Sequence, residues 1–245
     1  MNKTVVLDAG HGGKDGGACG NGLREKDIAL KVANEIAKRL KAEYEGVECI
    51  LTRSTDVFLE LKERTDMANK TKADMLVSIH CNAGGGAGGF ESFTYNGSTN
   101  AATAAFQNVL HGEIYSRLKG FGVNDRGQKR ANLHMCRESK MPAVLIENLF
   151  IDVDSDANRL KRTEVLEAII NGHVVGIAKY LGLKTKQTEK PTDEVLNVFV
   201  DGVNVGQGDN LKGVTRGPVR ALAQALGAQV IYDATNKRID VISKK

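Results

Sequence analysis

Tryptophan is absent from this sequence and aromatic residues make up only 5% of it, so its core must be aliphatic. No apolar run approaches the roughly 20 residues that a membrane helix needs, which argues against membrane insertion. The N-terminus enters a strand by Thr4, leaving no room for a basic segment, an apolar segment and a cleavage site. The expectation is a protein made and kept in the cytoplasm until something else releases it. The cysteines Cys19, Cys49, Cys81 and Cys136 have no CxxC spacing and form no small-domain framework, so they read as reduced thiols. A clustered Lys/Arg stripe is also missing. Residues 1–183 hold 24 Lys/Arg against 23 Asp/Glu, and residues 184–245 hold 10 against 7, within a net charge of +4. That balance excludes a nucleic-acid footprint; it suits an anionic polymer or ordinary surface scatter equally well.

What is present is enough for one substantial domain and a small one: 245 residues, 41% of them hydrophobic. Runs such as Thr4-Val5-Val6-Leu7 and Met75-Leu76-Val77-Ser78-Ile79 read as strands buried on both faces of a mainly parallel sheet. Further strands are expected at 47–52, 90–95 and 143–147. Between them Ile28, Val32, Ile36 and Leu40 mark a helix over 25–43. Helices are also expected over 59–72, over 101–118, and in a closing segment with Leu166, Ile170, His173, Ile177 and Leu181. The pattern predicts an α/β domain, a largely parallel central sheet flanked by helices, over residues 1–183. Residues 184–194, KTKQTEKPTDE, contain no apolar side chain and read as a linker. Residues 195–245 read as a β-β-α-β-β module, with a hairpin turn at Asp201-Gly202 and a helix from Pro218 to the stop at Gly227.

Four places share one design: an apolar segment joined to a residue able to bind a metal or move a proton. They are VVLDAGHGG with His11, MLVSIHCNA with His80, AVLIENLF with Glu147, and GLREKDIAL, where Glu25 opens a helix. In open α/β sheets the carboxyl ends of the strands converge on the ligand crevice. Two imidazoles and one carboxylate make a zinc ligand set, and a spare glutamate can serve as base. Each residue also has an ordinary structural reading. A lone His after a strand is often only hydrogen-bonded, and Asp8 is expected to hold the other ring nitrogen of His11. Glu25 is accounted for as a first-turn acid favoured by the helix dipole. Glu147 is harder to dismiss, because an unpartnered carboxylate inside an apolar stretch is costly or has its pKa forced up toward neutrality. Asn82, behind His80, is a candidate to orient a ligand or substrate amide. Cys81 should face away from His80 on the strand, and His173 belongs to a core stripe. His111 and His134 receive no functional role.

The segments LDAGHGG, GLREKDIAL, LTRSTDVFLELKERTDMAN, LVSIHCNA and DRGQKRANLHMCRESKMPAVLIENLFI, in this order across residues 3–182, strongly resemble the zinc-dependent N-acetylmuramoyl-L-alanine amidases of the amidase-3 family. The resemblance implies that His11, Glu25 and His80 bind Zn2+ and that Glu147 is the catalytic acid/base. The implied substrate is bacterial peptidoglycan, cut at the amide between N-acetylmuramic acid and L-alanine. Arg126 and Asn132 are candidates to anchor peptide carboxylates or carbonyls. One departure is Leu149, where the family often has glycine. The tail, with VDG, GPVRALAQALGA and KRIDVI, looks like a small stalk or copper-amine-oxidase-N-terminal-like module; wall binding or spacing is implied, and copper is not. Storage behind the membrane would fit a phage endolysin, the favoured setting, or a mother-cell lysis amidase of sporulation. The alternatives are a zinc carboxypeptidase or deacetylase acting on the wall, and an inactive wall-binding protein.

Overall fold

The apolar runs become the strands of a six-stranded sheet. In chain order the first unit contains β1 (Lys3–Ala9), β2 (Cys19–Gly20), β3 (Leu23–Arg24), α1 (Glu25–Glu43), β4 (Val47–Leu51), α2 (Leu61–Lys70), β5 (Met75–Asn82) and β6 (Phe90–Tyr95). It continues with α3 (Ala101–Leu118), β7 (Asp125–Ala131), α4 (His134–Arg137), β8 (Ala143–Phe150), α5 (Asp154–Leu160) and α6 (Thr163–Leu181). The structure, a computed structural model, describes residues 2–98, 100–186, 195–200, 203–211, 214–216, 223, 227–233 and 238–242. The strand order is β4-β1-β5-β8-β6-β7, with every neighbour parallel except β6, which runs against β8.

The two faces of this sheet are covered unequally. Alternation sends Val5, Leu7, Met75, Val77, Ile79, Cys81, Val144 and Ile146 into one large aliphatic core with α1, α3 and α6. Helix α1 contributes Ile28, Val32, Ile36 and Leu40, the stripe expected from spacing, and each such burial is worth roughly 1.5–3 kcal/mol. The opposite face has a smaller cluster of Val6, Leu76 and Ala143 with Ala68 of α2 and Met135 of α4. Two residues further along each strand, that face turns polar: Val6 is followed by Asp8, Leu76 by Ser78 and then His80, and Leu145 by Glu147. The strands are thus buried on both faces as expected, but the second face is apolar only over its first half.

Several boundaries differ from the expected ones. Strand β5 runs on through His80 to Asn82, and β8 through Glu147 to Phe150, so both residues lie within strands. Two residues of β8, Asn148 and Leu149, lie opposite Cys81 alone in the β5–β8 pairing. This bulge explains the positive φ of Leu149, 71°, a backbone state that glycine adopts at no steric cost. Strand β7, DRGQKRA, was not foreseen because it is a charged edge strand. Residues 184–186 do not behave as linker. Thr185 bridges to Tyr44, and the Lys186 N–H donates to the Glu43 carbonyl.

The chain divides into two compact units, Met1–Lys186 and Gln187–Lys245. The second contains β9 (Val195–Val200), β10 (Val203–Leu211), β11 (Val214–Arg216), β12 (Gln229–Asp233) and β13 (Arg238–Ile242), ordered β11-β10-β9-β13-β12. The antiparallel pairs β9–β10 and β12–β13 match expectation, and β11 is an additional strand. The turn at Asp201-Gly202, residues 187–194 of the expected linker, and most of the helix expected from Pro218 lie outside the described residues. Among the described residues no helix is long and apolar enough to cross a membrane.

Candidate metal and catalytic site

On the thinner face, at the edge where β1, β5 and β8 end, two histidines converge on one buried carboxylate. Glu25, first residue of α1, is 4% exposed. Its Oε2 lies 3.1 Å from His11 Nε2 and its Oε1 lies 2.8 Å from His80 Nδ1. One donor atom from each of the three residues falls within 4.8 Å of the others. Backbone groups fix the carboxylate independently: Ala18 N–H donates to Oε2 at 2.8 Å and Cys81 N–H to Oε1 at 3.1 Å. Sequence reasoning took Glu25 to be sufficiently explained as a first-turn acid. Its burial between two imidazoles goes well beyond that.

His11 has a left-handed backbone, φ 60°, held by two buried arginines. Arg64 of α2 donates to the carbonyls of Ala9 and His11, and Arg53 to those of Ala9 and Gly10. The expected partner of His11 was Asp8, but Asp8 stays on the strand face. There it accepts from Thr52, Ser78 and Arg64, and together these hold its pKa low against its burial. The turn at Gly10–His11 rotates the imidazole away from Asp8 and toward Asp15, whose Oδ2 lies 2.8 Å from His11 Nδ1. A carboxylate on Nδ1 leaves Nε2 free to face Glu25, the arrangement common for metal-bound histidine. The rings need backbone room. A Cβ on Gly10 would meet His80 ring atoms at 2.3–2.6 Å, and one on Gly17 would meet Glu25 Oε2 and His11 Cδ2 at 2.6 Å.

The electrostatics follow from this packing. Burial works against a charge on His11, but Glu25 and Asp15 outweigh it and raise its pKa to about 9. Burial opposes charge on His80 too, and Glu25 and Glu147 reverse the direction upward. Glu25 is held well below the carboxylate range by the two imidazoles in spite of burial. A carboxylate and two imidazoles that compensate one another through protons are also a donor set for a divalent cation, which would replace those protons. The cradle left by Gly10 and Gly17 fits the same reading. Two imidazole nitrogens and one carboxylate oxygen are the ligand chemistry of catalytic zinc sites.

Glu147 is the neighbour of His80 across the β5–β8 pairing, so both project from the same face. Its Oε2 is buried with no hydrogen-bond partner among the described residues. Burial raises its pKa to about 7, with Glu25 and Glu91 adding to the rise and His80 opposing it. No ion-pair partner for Glu147 was identifiable in the sequence, and its unpartnered oxygen agrees with that.

The remaining candidates separate. Asn82 Nδ2 donates to Glu91 Oε1 at 2.5 Å, and Arg126 Nε donates to Glu91 Oε2 at 2.8 Å, one strand beyond Glu147. Asn132 is not brought to the site. It follows the far end of β7, six residues from Arg126 or about 20 Å along an extended strand, and its Oδ1 accepts from Arg137. His134 lies against Thr65, His111 bridges Ser92 and Asp125, and His173 is fully buried in the core. Sequence reasoning missed Asp15, Glu91, Arg53 and Arg64. Of these Glu91 had a signal, an acid inside the apolar strand FESFTY.

Comparison with known proteins identifies the family. The family model described as N-acetylmuramoyl-L-alanine amidase, Amidase_3, matches residues 5–179. An endolysin of Bacillus phage SPP1 is 49% identical over 187 residues, covering 76% of this chain and 69% of the relative. The sporulation-specific N-acetylmuramoyl-L-alanine amidase of Bacillus subtilis is 44% identical over 180 residues, covering 74% and 69%. Among solved structures, the catalytic domain of CwlV, an N-acetylmuramoyl-L-alanine amidase from Bacillus (Paenibacillus) polymyxa var. colistinus, matches with a TM-score of 0.69 at 37% identity, covering 74% of this chain and 99% of that one. On its sequence, its fold and the residues gathered at its sheet edge, the chain belongs to the Amidase_3 family of N-acetylmuramoyl-L-alanine amidases.

Proposed function

We propose that this enzyme hydrolyses the amide between N-acetylmuramic acid and the L-alanine of the peptidoglycan stem peptide, with a zinc ion held by His11, Glu25 and His80 and with Glu147 as the acid/base. The observation behind the residue roles is the convergence of those three donors beside the unpartnered buried oxygen of Glu147. Bound zinc supplies Lewis acidity, polarising the scissile carbonyl and bringing the pKa of a water toward ~7. Asp15 keeps His11 Nδ1 engaged so that Nε2 faces the centre. The N–H groups of Ala18 and Cys81 hold the Glu25 carboxylate in place while charge shifts nearby. Glu147 accepts the proton of the attacking water at its carboxylate and returns it to the departing alanine nitrogen. A pKa of about 7 suits both transfers.

The setting we favour is that of a phage endolysin, in line with the 49% identity to the SPP1 enzyme, and a sporulation role is the second reading supported by a named relative. Residues 195–245 are proposed as a wall-binding or spacer module. The test is mass spectrometry of digested peptidoglycan with and without chelator, alongside Glu147→Gln. Freed stem peptide with intact glycan, lost on chelation, is expected, and the variant should retain about one zinc per chain while losing wall lysis. Loss of a single terminal amino acid or of acetate would instead identify a carboxypeptidase or deacetylase. Wild-type clearance by Glu147→Gln would remove Glu147 from the mechanism.

A further inference from the structure

At the level of Glu147 a single row of side chains crosses the sheet. His80 on β5 pairs with Glu147 on β8, and Glu147 pairs with Glu91 on β6. In the β6–β7 pairing, Arg126 and Gly127 lie opposite Glu91 alone. Such bulges re-aim a side chain, and they recur beside active sites. Here Arg126 and Lys129 both turn onto the Glu91 carboxylate, whose side chain is only 4% exposed. Arg126 also stacks over Phe150, 4.6 Å from its ring centre.

Glu91 is therefore one buried negative charge held by two cations and the Asn82 amide. The cluster keeps a surplus of one positive charge. The side chains of Arg126 and Lys129 remain 32% and 38% exposed, so the surplus faces solvent rather than the core. Asp125, the nearest acid in sequence, is occupied by His111 and the Gly127 N–H. The opposite flank of the centre carries charges of both signs. The cleft of about 330 Å³ beside His11 is lined by Phe58, Leu59 and Leu61 together with Asp15, Glu60 and the Asp8–Arg64 pair, and Lys14 lies over the Phe58 ring. A carboxylate approaching this site is drawn to the Arg126–Lys129 side, where the cationic surplus is.

We propose that Arg126 and Lys129, presented by Glu91, bind the free α-carboxylate of the second stem-peptide residue, and that the enzyme therefore prefers stems in which this group is not amidated. The inference rests on the amidase reading and gives that reading a direction, with peptide over β6–β7 and glycan toward the Phe58 cleft. The spacing agrees. Adjacent strands are about 4.8 Å apart and successive peptide Cα atoms 3.8 Å apart, so a group one residue past the scissile amide reaches the strand next to Glu147. A γ-linked glutamate at that position leaves its α-carboxylate free for a charge-assisted, forked contact with arginine.

The test uses two matched muramoyl tripeptides, MurNAc-L-Ala-γ-D-Glu-L-Lys and the analogue whose α-carboxylate is the amide, with the full-length zinc-loaded protein. Wild type should have a kcat/KM roughly 10- to 100-fold higher on the free acid, the worth of one hydrogen bond to a charged group. Raising the salt concentration should shrink that ratio, and this arm needs no mutant. Arg126→Gln and Lys129→Gln should each lower the ratio, with Arg126→Lys retaining more of it than Arg126→Gln. A wild-type ratio near one, or a ratio unchanged in both Gln variants, overturns the subsite. If neither tripeptide is cut at the muramoyl amide, it is the amidase reading that fails.

Discussion

Replacing Glu147 with glutamine should raise stability while it removes activity, and the structure sets the size of both effects. An unfolded glutamate releases its proton near 4.5, whereas the folded Glu147 releases it near about 7. Between those values the folded state binds more protons, so stability falls as pH rises through the window and stays reduced above it. The gap of about 2.5 pH units, at ~1.36 kcal/mol per unit, corresponds to about 3 kcal/mol of stability forgone above pH 7. Glutamine has nearly the same shape and no charge to bury. In chelator-treated protein at pH 8, Glu147→Gln should therefore resist urea by up to about 3 kcal/mol more than wild type, a rise in Tm of roughly 6–12 °C. The two proteins should converge below pH 4.5. Hydrolysis should meanwhile drop about 10²–10⁴-fold, the usual worth of a positioned acid/base. Urea melts at pH 4, 6 and 8 make the measurement. A variant less stable than wild type at pH 8, or a difference independent of pH, would refute the claim that Glu147 has a buried carboxylate oxygen without a partner.

Three further substitutions probe the frame. His173, fully buried with its pKa lowered to about 4 by desolvation, stays neutral where an unfolded histidine near 6.5 is charged. Stability should thus be lost as pH falls from 6.5 to 4, by about 3 kcal/mol, and His173→Leu should flatten that dependence in chemical denaturation. Arg64→Met leaves Asp8 ionised and buried and frees the His11 carbonyl; a loss of roughly 3–5 kcal/mol and weaker zinc retention in a competition assay are expected. For Leu149→Gly, removing left-handed strain gains about 1–2 kcal/mol, but losing a fully buried leucine costs about 2–5. The melting point should fall, and a rise would mean that strain dominates at this bulge.

The candidate metal and catalytic site was partly legible in the sequence for a physical reason. His80 and Glu147 sit on strands, and His11 just past one, whose apolar runs mark the sheet, and a polar residue ending or interrupting such a run needs an explanation. Glu25 could be placed at a helix start, but its burial depends on Ala18, 7 residues upstream, and on a strand 55 residues away, which no local pattern encodes. The same runs contained a signal that went unread. Val6 then Asp8, and Leu76 then Ser78 then His80, mark one face changing from apolar to polar halfway along the sheet. Asp8 was misassigned because spacing along the chain cannot report the turn at Gly10–His11. Asn132 was grouped with Arg126 on proximity in sequence alone, and the extended strand β7 carries it to the opposite edge of the sheet. Strand β7 itself escaped notice because an edge strand bonded on one side has no need of an apolar pattern.

The reversed course of β6 has an evolutionary consequence. Because that strand runs against β8, it and β7 deliver their first residues to the edge where β1, β5 and β8 deliver their last. The cationic flank is consequently fed by the glycine-rich segment 84–89, which joins it to β5 and His80, while the other two candidate metal donors come from the turn after β1 and the start of α1. If the proposed subsite holds, substitutions in that segment should change which stem chemistry is accepted while leaving His11, Glu25, His80 and Glu147 in place.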